Sequence, residues 1–170
     1  LKVRIAIVGN SGSGKSTLAG RLAGGTATPV LDLDTVAWEP GEIARPRSPS
    51  DAAADVRRFC ESGEEWIVEG CYATLVEVAL QYEPHLLFLD PGLEQCLANC
   101  RARPWEPHKY ASKAEQDERL AFLLAWVADY YQRDGEMSHQ GHLALFQSYA
   151  GPGQRLHEFP DGDFVPGVAG

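Results

Sequence analysis

Short β-branched or leucine-rich runs alternate along this chain with segments whose apolar residues recur at three and four positions, the pattern of strands alternating with amphipathic helices. Val3-Arg4-Ile5-Ala6-Ile7-Val8 predicts a strand that stops at Gly9, and Leu18, Ala19, Leu22 and Ala23 predict a helix over 16–24. Val30-Leu31-Asp32-Leu33 predicts a second strand, followed by a proline-rich irregular loop from about 39 to 49. Ser50 is the expected N-cap of a helix that gathers Ala52, Ala53, Val56, Phe59 and Cys60 on one face, and Trp66-Ile67-Val68-Glu69 is the next strand. Tyr72, Leu75, Val76, Ala79 and Leu80 mark another helix, and the wholly apolar Leu86-Leu87-Phe88-Leu89 reads as a strand buried on both faces. A short helix from Leu93 to Arg103 follows. A longer one is predicted from Ser112 to Arg133, with Leu120, Leu123, Leu124, Val127 and Tyr131 inward. A helix over Ser138 to Tyr149 and a strand over Arg155 to Phe159 complete the series, and the Gly- and Pro-rich tail from 161 to 170 is expected to be mobile.

Alternating strands and helices predict βαβ units: an α/β fold with a central parallel sheet flanked by helices in three layers, and a helical lid region at about 101–135. A single domain over 1–160 suits a chain of 170 residues. In such sheets ligands bind beyond the carboxyl ends of the strands, where Gly9, Asp32, Glu69 and Asp90 fall.

The first of these strand ends carries the strongest signal in the chain. Gly9-Asn10-Ser11-Gly12-Ser13-Gly14-Lys15-Ser16-Thr17 fits GxxxxGK[ST] between a predicted strand and a predicted helix, the context that makes it a phosphate-binding P-loop. Glycines let the backbone curl so that successive N–H groups point at phosphate oxygens. Lys15 supplies a cation for the β- and γ-phosphates, Ser16 a hydroxyl for Mg²⁺, and the helix N-terminus its dipole. ATP and Mg²⁺ are therefore the expected ligands, in a P-loop NTPase fold. No Asn-Lys-x-Asp element for guanine is present.

Phosphoryl transfer also needs carboxylates to hold Mg²⁺-bound water and to orient or deprotonate an acceptor. Asp32, Asp34, Glu69 and Asp90 are the candidates. Asp32 and Asp34 flank one residue, so a strand persisting through Asp34 would aim both the same way, one toward metal-bound water and the other toward the acceptor. The alternative is that one caps the following segment. Glu69, at a strand end before Gly70, is expected to order Mg²⁺ or its water, or else to pair with an arginine for structure. Arg101, Arg103 and Lys109 sit where a lid would supply positive charge to the transferring group, and Arg45 and Arg47 are further candidates near an anionic acceptor.

Composition narrows the alternatives. A net charge of −9, with no run of Lys or Arg, argues against nucleic acid as a partner. No stretch approaches the ~18 apolar residues of a membrane span, and no charged leader precedes an apolar signal segment, so a cytoplasmic location is the expectation. Cys60, Cys71, Cys96 and Cys100 form no CxxC, and buried reduced thiols are expected. His139-x-x-His142 lacks the further ligands of a zinc site. Trp105 and Tyr110 flank the lid and are candidates to stack on a planar substrate, or else to pack inward.

With those residues placed, the chain resembles the adenylate-kinase-like P-loop kinases, most closely the small bacterial DNA topology modulation proteins, a group also described as adenylate- or shikimate-kinase-like. The resemblance runs from Val3 to about Phe159. Beyond the P-loop it rests on Leu31-Asp32-Leu33-Asp34 with Trp38 and Pro40, on Trp66-Ile67-Val68-Glu69-Gly70-Cys71-Tyr72, and on Leu87-Phe88-Leu89-Asp90-Pro91 with Cys96-Leu97. Glu69 stands where the group has Asp, Cys71 where it has Asn, and Asn99 where a lid arginine is expected, which leaves Arg103 as the match. The resemblance implies a kinase fold and ATP but no particular acceptor. The expected activity is ATP- and Mg²⁺-dependent phosphoryl transfer to a small-molecule hydroxyl or phosphate, with Lys15, Asp34 and Arg103 catalytic and Ser16, Asp32 and Glu69 at the metal. The alternative is an ATPase or nucleotide-dependent regulatory protein without such an acceptor. Monomer and dimer both remain open.

Overall fold

Period-two alternation divides the central strands between two cores. In the computed structural model, which describes residues 2–24, 27–40, 45–107 and 110–167, five parallel strands lie in the order β2-β3-β1-β4-β5. They are β1 (Arg4–Gly9), β2 (Val30–Asp32), β3 (Trp66–Gly70), β4 (His85–Leu89) and β5 (Gly153–Leu156). On one face Ala6, Val8, Trp66, Val68, Leu86 and Phe88 join α3 (Pro49–Glu61), α4 (Ala73–Leu80) and α7 (His139–Ser148) through Val56, Cys60, Val76, Ala79 and Leu145. On the other, Ile5, Ile7, Ile67, Leu87 and Leu89 pack against Leu18 and Ala19 of α1 (Lys15–Ala23). Side chains pointing alternately to opposite faces require this division, and a strand flanked by neighbours and covered on both sides has to be apolar throughout. The result is the three-layer α/β sandwich that the sequence predicts.

α5 (Leu93–Arg101) and α6 (Lys113–Ala128) enclose a further small core. Cys96 and Cys100 of α5 meet Val127, Leu123 and Leu124 of α6. Their i,i+4 spacing puts both thiols on the inward face, and no disulfide joins any of the four cysteines. Burial pushes the Cys96 thiol up to about 11 and Cys60 up to about 12, so both stay protonated and unreactive. Among the described residues no helix is long and apolar enough to cross a membrane.

Several boundaries differ from the sequence reading: α3 starts at Pro49 with Ser48 rather than Ser50 at its N-cap, α5 ends at Arg101 rather than Arg103, and others shift as follows. β2 stops at Asp32, because Leu33 turns to φ −64°, ψ −20° and Asp34 begins a four-residue helix, α2 (Asp34–Ala37). Leu33 is drawn inward onto Gly70, where a Cβ would stand 2.7 Å from that of Leu33, so glycine there is a requirement of close approach. α6 ends at Ala128, five residues before Arg133, in a turn closed by Gln132 and Arg133 N–H groups on the Asp129 carbonyl. Tyr130 rather than Tyr131 is consequently the fully buried ring. β5 begins at Gly153 and ends at Leu156. The segment beyond it lies on the body as far as residue 167: Arg21 stacks 5.0 Å from the Phe159 ring and donates to the Pro160 carbonyl, Phe164 joins the α1 core, and the Gly167 N–H donates to Gln154. Of the tail expected to be mobile from 161, Phe164 thus touches the body, a contact that the Gly and Pro content does not reveal, while most of its neighbours up to 167 are exposed.

Candidate nucleotide and acceptor site

β1 ends at Gly9 in the centre of the sheet, and α1 starts six residues later, so the intervening turn must reverse within one loop. Gly12 and Gly14 take φ +79° and +98°, a region open to glycine and strained for other residues. The turn is held by Ser13 N–H on the Asn10 carbonyl (3.1 Å) and by Leu18 N–H on the Gly14 carbonyl (2.9 Å). Asn99 of α5 donates to the Gly12 carbonyl at 2.7 Å, and Asn10 donates to the Val127 carbonyl of α6. The residue standing where a lid arginine was expected is thus a strut between α5 and the P-loop. Lys15 folds over the loop, its ammonium 2.7 Å from the Asn10 carbonyl.

Gly12 through Thr17 form one wall of a cleft of about 900 Å³, which Arg103 and Glu106 beyond α5 and His157 to Phe159 after β5 help to complete. Gly9 and Asn10 are buried beneath the turn, and Ser11 is not part of the cleft wall. A nucleoside triphosphate fits this volume, and the inner end of the cleft offers the N–H groups of a helix N-terminus. Arg103 pairs loosely with Glu106 at 4.0 Å. Arg101 is exposed and takes no part in the cleft wall, and Lys109 lies outside the described residues.

The carboxylates lie outside the cleft wall, with Glu69 within electrostatic reach of Lys15. Ser16 donates to Glu69 Oε1 at 2.8 Å, joining the start of α1 to the end of β3. Burial pushes the Glu69 carboxyl up and Asp32 and Asp34 add to the effect, against the opposing pull of Lys15 and Ser16. Asp32 pairs with Glu69 in register across the sheet. Because β2 stops at Asp32, the two aspartates do not project side by side from one strand. Asp32 Oδ1 accepts the Asp34 N–H at 2.9 Å, closing the turn into α2, while Asp34 Oδ1 accepts the Tyr72 hydroxyl at 2.6 Å. Tyr72 in turn accepts the Trp38 indole N–H at 2.8 Å. Burial, with Cys71 and Asp34 beside it, pushes the Tyr72 phenol up, so it remains a donor to Asp34.

The fit to Mg²⁺ follows from the donor set. Among the described residues no group of three or more His, Cys, Asp or Glu side chains gathers as a metal cage. Mg²⁺ needs none, since it keeps several waters and takes its remaining ligands from phosphates and one or two protein oxygens. The Ser16 hydroxyl and Glu69 carboxylate are oxygens of that kind.

The fourth candidate carboxylate is engaged elsewhere. Asp90 accepts from Arg155 (2.6 Å), Tyr131 (2.8 Å) and His139 (3.1 Å). Burial pushes its carboxyl up, but these three donors outweigh burial and hold it below the usual carboxylate range. His139 and His142, one helical step apart, go to different partners and share no ligand. The candidate acceptor arginines are also engaged: Arg47 pairs with Asp55 at 2.6 Å and donates to the Val36 carbonyl. Trp105 is half-exposed in the lid, and Arg133 stacks 3.5 Å over the Trp126 ring with its N–H groups on the Met137 and Trp126 carbonyls. Sequence reading missed Arg133, Trp126 and the His142 contacts, because each depends on where the chain goes after α6.

The sequence matches no protein-family model and no curated protein. Among solved structures, a sugar kinase from Janibacter sp. HTCC2649 superposes with a TM-score of 0.50 at 16% identity, over 92% of this chain and 85% of that one. A gluconokinase from Sinorhizobium meliloti 1021 gives 0.47 at 18% identity (86% and 97%). A shikimate kinase from Acinetobacter baumannii gives 0.43 at 19% (85% and 92%). The likeness is one of fold, the α/β P-loop kinase fold, and does not single out the DNA topology modulation group.

Proposed function

We propose that this chain transfers the γ-phosphoryl group of ATP, with Mg²⁺, to a hydroxyl of a small acceptor. The observation that supports this reading is the Ser16–Glu69 contact: it joins the P-loop, which lines a cleft of nucleotide size, to a strand-end carboxylate with Asp32 and Asp34 nearby. The N–H groups of the Gly12–Ser16 turn cradle phosphate oxygens and Lys15 neutralises charge on them, exchanging the Asn10 carbonyl for phosphate. Ser16 and Glu69 hold Mg²⁺ directly or through its water, with Asp32 beside them. Bound Mg²⁺ neutralises phosphate charge and orients the group to be transferred. Asp34, steadied by Tyr72, takes the acceptor hydroxyl proton as the new P–O bond forms and the bond to the ADP leaving oxygen breaks. Arg103 reaches the cleft from the lid and stabilises charge on the transferring group.

The acceptor side favours a neutral, hydroxyl-bearing molecule over a phosphorylated one. Asp32 and Asp34 bring carboxylates, Trp38 brings a partly exposed ring, and Arg47 and Arg133 are engaged by Asp55 and by backbone carbonyls.

The test is ADP release from Mg·ATP with and without a panel of sugars, nucleosides, nucleoside monophosphates, shikimate and hydroxyl-bearing antibiotics. The expected result is release that depends on a neutral hydroxylated acceptor and falls about a hundredfold or more in Lys15→Ala. Slow release indifferent to every acceptor would establish an ATPase or nucleotide-dependent regulator instead.

A further inference from the structure

α7 contributes one polar side chain to the interior that the phosphoryl-transfer reading does not use. His142 is fully buried, in edge contact with Phe88, and both its ring nitrogens are engaged. Nε2 lies 2.7 Å from the Cys71 carbonyl oxygen and Nδ1 2.7 Å from the Tyr130 hydroxyl. A carbonyl oxygen only accepts, so Nε2 carries the proton, and Nδ1 accepts from Tyr130. One tautomer satisfies both contacts.

Those partners belong to the two segments that matter for transfer. Tyr130 lies two residues beyond the end of α6, next to Tyr131, which is tied to Asp90. The Cys71 carbonyl is part of the peptide plane leading into Tyr72, and both Lys15 and Asp34 act electrostatically on the Cys71 thiol, so this turn lies near both groups. Fixing the Cys71 carbonyl fixes that rigid plane and therefore where Tyr72 begins. Tyr72 reaches Asp34 and Trp38. A continuous path thus runs Tyr130–His142–Cys71/Tyr72–Asp34. Among the described residues Ala73 and Thr74 also tie this turn to Glu136, by a long contact and by exposed ones, whereas His142 reaches it from the fully buried interior.

We infer that His142 is a positioning residue: through its Nε2 proton on the Cys71 carbonyl it holds Tyr72 and Asp34 in register with the P-loop, and through Tyr130 it ties that register to the end of α6. The inference rests on the phosphoryl-transfer reading for its kinetic consequence, and on geometry alone for its structural one.

Three measurements separate them. In the wild-type protein, ¹⁵N shifts of the His142 ring are expected to report the neutral Nε2–H form at pH 7; an Nδ1–H ring overturns the inference. In His142→Phe the ¹⁵N–¹H indole signal of Trp38, identified by Trp38→Phe, is expected to move, and in His142→Gln, whose amide keeps a donor toward Cys71, to stay near its wild-type position. Kinetically, His142→Phe is expected to lower acceptor-dependent kcat about tenfold to a hundredfold, as displacement of a reacting group by about 1 Å does, with KM for ATP within about twofold. His142→Gln recovers most of that loss, and Tyr130→Phe, which leaves the Cys71 contact, has the smaller effect. Wild-type kcat in His142→Phe overturns the inference, as does a folded His142→Gln as impaired as His142→Phe, which would mark His142 as packing only. If the wild-type protein shows no acceptor-dependent turnover, the phosphoryl-transfer reading fails while the ring and indole signals still decide the anchor.

Discussion

Glu69 illustrates how one residue's burden follows from its place in the sheet. It closes β3 among apolar neighbours and is only 3% exposed, yet its partner is a neutral serine hydroxyl and its nearest charges include two more carboxylates. Its carboxyl is raised, so the folded state holds a proton there more readily than the unfolded chain. Stability therefore falls as pH rises from the ordinary glutamate range through the higher folded value. Glu69→Gln is expected to leave Tm unchanged or raise it, while the Mg²⁺ concentration needed for half-maximal ADP release rises roughly tenfold to a hundredfold. A lowered Tm with unchanged Mg²⁺ demand would instead make Glu69 a structural residue. Lys15, Ser16 and Glu69 were legible because a local motif or a strand end marks each. Asp34 was legible as a candidate, but its tie to Tyr72 was not, since 38 residues separate the pair. Asp90 was a candidate carboxylate until Arg155, Tyr131 and His139 came within reach of it.

At the scale of elements, the strands and helices read most directly are those whose pattern answers to one neighbour. β4 is apolar at every position except its first, and α3 turns Ala52, Val56 and Cys60 to the sheet. Ends are harder. β2 is an edge strand of three residues, and its predicted fourth residue, Leu33, leaves extended geometry because packing onto Gly70 outweighs further pairing. α6 was extended too far because Tyr131 falls on the helical repeat, whereas the structure assigns the buried position to Tyr130 after the helix has ended. Its start is better specified: Ser112 accepts the Glu115 N–H at 3.1 Å and Glu115 accepts the Ala111 N–H at 2.9 Å, close to a capping box. Ser112→Ala is expected to cost about 1 kcal/mol at this terminus, seen as faster amide exchange over 113–117 with little change in the exchange of β1 and β4. Unchanged protection there would show that lid packing, not the cap, sets the helix start.

For the whole molecule, the second layer of helices and the lid meet at a buried polar cluster whose titration couples stability to acid. Burial pushes His142 down to about 4, so between that value and the ordinary histidine range only the unfolded chain takes up its proton. Stability is therefore lost as pH falls through this window, by about 3 kcal/mol from this group alone. Asp90, held below its ordinary range, adds a further loss as pH falls through its depressed value. Thermal unfolding followed from pH 7 to 3 is expected to show a steady fall in Tm, with the limb above pH 4 flattened in His142→Gln. A flat wild-type profile over that range would contradict the neutral, buried ring. What the sequence determined by itself is what short-range physics encodes: which segments are strands or helices, a P-loop whose glycines, lysine and serine are contiguous, and a charge balance unfavourable to polyanions. Only the tertiary structure decided that Glu69 meets Ser16 while Asp90 is held elsewhere, that Arg47 is already paired, that Phe164 joins the α1 core, and that His142 joins Tyr130 to the Cys71 carbonyl. Those outcomes depend on contacts between residues tens of positions apart, whose geometry is fixed by the order of strands in the sheet and the crossing of helices over it, and no local pattern of side chains carries that information.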